Sequence, residues 1–252
     1  MFTDRFLRHR RGPKLTAEER EALEASVDEV VTHAARQIVV RAREPLDHST
    51  LLVEGTMCRY RDDRHGLRQL VAIHVPGDFV DLHGYPLQTL DHDVASLTAI
   101  TVATVRHDRL DVLTAEHPEL ARKLWYSTLL DAAIHRAWLF RLGRLDAGGR
   151  LANFLSETNA RLQAVGLSDG HRFTLGLTQT DLAEICGLTS VHVNRVMRSL
   201  REERIITFRD SLVEIHDLPR LHRQGQFDPD YLYLDTDALD ASAAETAPRT
   251  EP

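Results

Sequence analysis

Cysteine is almost missing from this chain. Of 252 residues only Cys58 and Cys186 are cysteine, and neither stands in a CxxC or Cys/His spacing. That argues against a disulfide framework and a thiolate zinc site, and it closes the route to an iron–sulfur cluster, which needs about four thiolates. Both cysteines read as small apolar residues of a core. Long apolar runs are missing too: nothing approaches the roughly 20 residues of a membrane span. The start, MFTDRFLRHRRGPK, has no apolar stretch behind its basic residues. Neither a membrane partner nor a secretory leader is expected, and the chain is placed in the cytoplasm. Histidine is plentiful at fourteen, and His74, His83, His92 and His107 fall in one β-rich region. None has the paired spacing of metal ligands, and no cluster of histidines and carboxylates leaves an open position. No metal, cofactor or catalytic residue is therefore assigned, and an enzyme is not expected.

An excess of positive charge is also absent, since the formal net charge is −7. Charge acts locally, so it is read by segment. From Phe227 onward seven acids face one arginine, whereas Thr189 to Arg201 holds Arg195, Arg198 and Arg201 and no acid. The composition, 42% hydrophobic and 27% charged, suits a folded chain with a real core, and the length suits two domains.

Thr16-Ala17-Glu18-Glu19 is a capping box that predicts a short helix to about Val31. The pattern then becomes β-rich: QIVV, STLLVEG, MCRYR, LRQLVAIHV and SLTAITVATV, broken by the turns Asp62–Gly66 and Pro76-Gly77-Asp78-Phe79. A closed roll or sandwich over 15–109 is expected. From 110 to 145 the period is helical, with Pro118 in the first turn of a long second helix. Along it Leu120, Leu124, Ser127, Asp131, Ile134 and Trp138 recur at steps of four and three, a seam suited to pairing two copies. Asp146-Ala147-Gly148-Gly149 is read as the break and hinge.

The segment TQTDLAEICGLTSVHVNRVMRSLREERII carries most of the chemistry. Thr178 caps a first helix, Gly187 supplies the positive-φ turn, Leu188 plugs it, and Thr189 caps a second helix. Val193, Val196 and Leu200 form that helix's buried stripe. Ser190, Val191, His192, Asn194, Arg195 and Arg198 are left on the open face, a set suited to the major groove: arginine grips guanine O6 and N7, asparagine adenine N6 and N7. Ile205–Phe208 and Leu212–Ile215 around Arg209-Asp210-Ser211 read as a two-stranded wing. A winged helix-turn-helix over 146–222 follows, then a tail from 223 to 252 whose last part is expected to be disordered.

Taken together, LLVEGTMCRYR, VPGDFVDLH, HPELARKLWYSTL, LTQTDLAEICGLTSVHVNRVMRSLR and FDPDYLYL resemble the Crp/Fnr family of bacterial regulators from about Leu15 to Leu234. The resemblance implies an α+β fold: an N-terminal cyclic-nucleotide-binding-like β-roll (a double-stranded β-helix), a long dimerisation helix, and a C-terminal winged helix-turn-helix. It implies a homodimer on palindromic double-stranded DNA, with RNA polymerase as a further candidate partner. Ser190, His192, Asn194 and Arg195 would read bases, and Thr178, Gln179, Thr189 and Arg198 would hold phosphates. Well-known members carry glutamate where Val191 stands, so the operator is expected to differ. Cyclic-nucleotide binders place Arg-Ser where this chain has His92-Asp93, and Asp93 would repel the phosphate; Arg36 and Arg43 replace glycines in the roll's early turns. Cyclic AMP is therefore not the expected effector, no effector-binding residue is assigned, and a filled apolar roll interior is expected. The other reading is a ligand-binding or protein-interaction module whose helix-turn-helix is a docking surface.

Overall fold

In the computed structural model, which describes residues 1–12 and 14–235, the capping box starts helix α1, Ala17–Ala25. Glu19 N donates to Thr16 Oγ1 at 3.2 Å and Thr16 N to Glu19 Oε2 at 2.7 Å. The helix stops short of Val31 because Ser26 turns its hydroxyl back onto the Leu23 carbonyl, and the β-branched stretch Glu29–His33 pairs as strand β1. Strands β2 (Ile38–Val40), β3 (His48–Glu54), β4 (Met57–Asp62) and β5 (Arg68–His74) come next. After the one-turn helix α2 (Gly84–Leu87), the run read as one strand divides into β6 (Asp93–Ser96) and β7 (Ile100–Arg106). The strands form antiparallel sheets in the orders β1-β7-β3 and β2-β6-β4-β5, closed over a core that includes Leu52, Met57, Val80, Val94 and Val102. Arg36 and Arg43 adopt φ of 67° and 66°, so the positive-φ turns persist without glycine. That costs on the order of 1–2 kcal/mol each.

Helix α3 (His107–Glu116) leads into α4 (Pro118–Arg144), whose first turn holds Pro118 as expected. At 1.5 Å per residue its 27 residues span about 40 Å. Of the stripe predicted to pair two copies, Leu120, Leu124, Ile134 and Trp138 are buried within this chain, and Ser127 and Asp131 are half-buried. Leu120 and Leu124 pack with Leu23 and Leu110, and Ile134 and Trp138 belong to the cluster under β4 and β5. Ser127 Oγ bonds the Leu124 carbonyl at 2.7 Å, and Asp131 pairs with Arg59 at 2.6 Å. The physical reason is that the roll and α1 cover Leu120 and Leu124, and α5 covers Trp138. A second apolar stripe, Trp125, Leu129, Leu139 and Phe140, is left outside, with Leu139 71% exposed.

The helix breaks at Leu145-Asp146, slightly before the glycines. Asp146 caps helix α5 (Ala147–Ala164) by accepting from Gly149 N at 2.7 Å, so both glycines lie inside its first turn. Beyond it come β8 (Arg172–Thr174), helices α6 (Gln179–Cys186) and α7 (Ser190–Glu202), strands β9 (Ile206–Arg209) and β10 (Leu212–Ile215), helix α8 (Leu218–Gly225) and a 3-10 turn at Pro229–Leu232. The wing sheet runs β8-β10-β9, so β8 adds a strand to the expected two. The tail is folded at its start: Leu232 and Leu234 are buried, and Leu234 bridges Arg10 of the N-terminal segment. The stretch expected to be disordered, 236–252, lies outside the described residues.

The roll and the winged region share a core. Tyr60, Leu70 and Ile73 belong to one hydrophobic cluster with Trp138 and Leu182. Cys58 and Cys186 sit in that cluster, free and buried, and burial pushes their thiols up to about 12 and about 11. The roll interior is closed but not purely apolar: Arg59, 2% exposed, donates from Nε to the Val80 carbonyl at 2.7 Å. His83 stacks on His92 at 5.3 Å nearby.

Candidate nucleic-acid interface

Two caps set the geometry of the helix-turn-helix. Thr178 accepts from Asp181 N at 3.2 Å while its own N–H donates to Asp181 Oδ2 at 2.6 Å, fixing the start of α6. Gly187 ends α6 with φ of 59°, in the left-handed region that a side chain would disfavour. Thr189 then caps α7, its hydroxyl accepting from His192 N at 3.4 Å and lying 3.1 Å from His192 Nδ1. Val193 and Leu200 are fully buried beneath α7. This leaves Ser190, Val191, His192, Asn194 and Arg195 exposed along one edge, as the periodicity predicted.

Thr178 and Gln179 of α6 face Asn194, Arg198 and Arg201 of α7 across one groove, closed on the far side by Arg209 of the wing. The groove thus joins the predicted phosphate residues Thr178, Gln179 and Arg198; Thr189 sits outside it, at the start of α7. Arg209 was not assigned a role from the sequence. Its sequence signal was the Arg209-Asp210-Ser211 turn between the wing strands; with Asp210 and Ser211 at φ of 50° and 64°, that two-residue hairpin turn carries Arg209 out to solvent. Arg198 Nε donates to Glu202 Oε1 at 2.7 Å, and that hydrogen bond raises the Arg198 pKa. The pair is exposed on both sides, so a phosphate can replace Glu202 at little cost.

The α6 start is also tied to the roll. Arg36 holds Asp181 through both carboxylate oxygens, at 2.5 and 2.7 Å, and Gln69 Nε2 donates to the Glu184 carbonyl. Burial opposes the charge on Asp181, but the Arg36 and Thr178 bonds hold its pKa below the usual range. Elsewhere, no group of three or more histidine, cysteine, aspartate or glutamate side chains among the described residues is placed to hold a metal. No helix among them is long and apolar enough to cross a membrane.

A helix-turn-helix with a wing, joined by a long helix to a β-roll, defines a class of DNA-binding regulators. Comparison with known proteins agrees. The Crp-like helix-turn-helix domain matches residues 149–224 and the cyclic nucleotide-binding domain matches 30–117. The chain is 28% identical over 205 residues to the transcriptional activator protein FnrL of Cereibacter sphaeroides, covering 79% of this chain and 81% of the relative. It is 24% identical to the transcriptional activator protein anr of Pseudomonas aeruginosa, covering 81% and 83%. The structure of FixK2 from Bradyrhizobium japonicum superposes with a TM-score of 0.71 at 24% identity, covering 78% of this chain and 96% of that one. The chain belongs to the Crp/Fnr family of transcription regulators, with the expected α+β architecture of roll, long helix and winged helix-turn-helix.

Proposed function

We propose that this regulator works in the cytoplasm as a homodimer on a two-fold symmetric DNA site. Ser190, His192, Asn194 and Arg195 read base edges in the major groove, and Thr178, Gln179, Thr189 and Arg198 hold phosphates, joined by Arg201 and Arg209. The observation that carries this reading is the α7 face: four polar reading residues exposed in a row beside a groove lined by three arginines. The partner copy sits on the outer stripe of α4, through Trp125, Leu129, Leu139 and Phe140, because those side chains remain apolar and exposed once the chain has folded. The roll, the helical connector and the winged region then act as the three working parts, divided near 109 and 146. In this reading cyclic AMP is not the effector: the family resemblance aligns Asp93 with the phosphate-holding stretch of cyclic-nucleotide binders, and its carboxylate already accepts the Ala42 N–H at 2.8 Å. Contact with RNA polymerase is the expected route from binding to transcription.

Selection of binding sites from a random duplex pool should return a palindrome with half-sites one helical turn apart, roughly 34 Å. Arg195→Ala should weaken the selected site by roughly 1–3 kcal/mol and relax one base pair in each half. An unchanged binding profile for that variant, or no preference over competitor DNA, would remove the assignment.

A further inference from the structure

The N-terminal segment is built into the fold rather than hung from it. Phe6 enters the core edge-on against Phe79 at 5.4 Å, and a Cβ at Gly77 would lie 2.5 Å from the Arg5 carbonyl. His9 Nδ1 reaches the Ala164 carbonyl at 2.7 Å and Arg10 Nη1 the Leu232 carbonyl at 2.6 Å. This path carries Arg5, Arg8 and Arg10 to one wall of a cavity of about 50 Å³. The roll's Pro76–Phe79 turn, α4 and the end of α5 supply the other walls.

Charge around that cavity does not balance. Asp131 is committed to Arg59 at 2.6 Å, and Asp78 to Arg161 at 2.6 Å and to Val75 N at 2.9 Å. Glu157, behind Arg161, already serves Arg141, the Trp138 indole and the Tyr231 hydroxyl. On the cavity wall five arginines, Arg5, Arg8, Arg10, Arg59 and Arg161, therefore face two carboxylates, Asp78 and Asp131. Among the described residues Arg5, Arg8 and Arg10 make no ion pair; Arg5 and Arg10 reach only carbonyls. Arg10 is buried, and burial lowers its pKa to about 10, against the attraction of nearby Asp78 and with the repulsion of Arg161 adding to the lowering. One buried donor on the cavity wall, Arg161 Nε, makes no hydrogen bond; His74 is held neutral by burial and turns Nδ1 toward Asp78, so its Nε2 is an acceptor. Arg8 is exposed and Arg5 half-buried at the mouth, while Arg10 is buried without an ion pair and Arg161 Nε is buried without a partner; both buried features are costly, so a fold that keeps them is arranged for a counter-charge.

We propose that this junction binds a small oxyanion of the phosphate type, and that the protein takes its ligand there rather than inside the roll. Guanidinium forks match the oxygens of such an anion, and a doubly negative group offsets most of the excess. The volume suits a few waters or one compact anion and lies far below the roughly 300 Å³ of a drug-sized or nucleotide site. The bound anion would tie the N-terminal segment, the roll turn and α5 together, stiffening the link between the roll and the winged region. Only that consequence for DNA rests on the function proposed above; the binding itself does not.

The test uses the full chain without DNA. Inorganic phosphate is titrated at constant ionic strength, with sodium chloride as the balancing salt, and Tm is followed. A saturable rise of roughly 5 °C is expected at about 100 times the dissociation constant. Arg8→Gln and Arg5→Gln should abolish most of the rise, while Arg64→Gln, in the exposed Asp62–Gly66 turn, should leave it intact. A rise matched by chloride, or retained in both the Arg8 and Arg5 variants, means an adventitious ion only and overturns the proposal. Glycerol phosphate separates the sources: a larger rise than with inorganic phosphate assigns a phosphorylated metabolite, and an equal or smaller one assigns the free anion. Failure to bind DNA alongside a retained phosphate shift would overturn the proposed function and not this site.

Discussion

Val191 stands 68% exposed between Ser190 and His192, with its methyls turned away from the chain's own core. In the major groove the apolar feature offered by a base pair is the thymine methyl, so Val191 should favour an A·T pair at the position it meets. Glutamate there would instead accept from cytosine N4. Val191→Glu is expected to move the selected sequence from A·T to G·C at one position per half-site, a change of roughly 1–3 kcal/mol between the two bases; an identical selected sequence would refute the contact. Asp81 is the other informative single residue. It is fully buried, with Oδ1 accepting from Thr50 N at 2.6 Å and Oδ2 unpaired. Burial pushes it up to about 6 from 3.8. The folded state therefore holds a proton that the unfolded chain releases, and the associated stability is complete below about pH 4 and lost as pH rises through 6. Asp81→Asn should raise Tm at pH 8, and the gain should vanish near pH 4. A gain independent of pH would place its origin elsewhere. The exposed face of α7 was legible because a 3.6-residue period separates Val193 and Leu200 from their neighbours. Asp81 was not, because nothing in VPGDFVDLH tells which of its carboxylates turns inward.

The connector α4 shows what periodicity leaves open. Leu120, Leu124, Ile134 and Trp138 keep the strict repeat expected of a helix pairing with its twin, and the chain takes that face for itself. One helix can carry two apolar stripes, and spacing alone does not say which belongs to the chain and which to a partner. The outer stripe, proposed above to seat the partner copy, has Trp125 at 65% and Leu139 at 71% exposure. These two faces give opposite mutational signatures. Leu139→Lys should convert the dimer to monomer in sedimentation while leaving the monomer's ellipticity unchanged. Leu124→Ala should cost roughly 2–5 kcal/mol of stability through the cavity it opens. A dimer that survives Leu139→Lys would move the interface off this stripe. The Gly148-Gly149 break was legible to within three residues, yet its purpose was not: Gly149 lies inside α5, where a Cβ would crowd Leu145 and the Gln224 carbonyl at 3.2 and 3.3 Å.

At the scale of the whole chain, the order of elements, roll then long helix then winged helix-turn-helix, could be taken from the pattern changes at 38, 107 and 178. How the parts lock together could not, since each link joins residues far apart in sequence. Arg36 meets Asp181 across 145 positions, Arg161 meets Asp78 across 83, and Arg10 meets Leu232 across 222. Together with a core that runs from Tyr60 to Leu182, these links leave little for the two halves to do separately. The exposed Arg36 side of its pair is worth little alone, so the apolar cluster supplies most of the coupling. Unfolding should accordingly be cooperative. Trp125 and Trp138 both lie on α4, one on the outer stripe and one packed on α5 against Phe154 and Glu157. Their fluorescence should report the same urea midpoint as far-ultraviolet ellipticity at a fixed protein concentration. Separated transitions, with the winged region melting while the roll keeps its ellipticity, would show instead that the contact at Asp181 is a weak dock between independent domains.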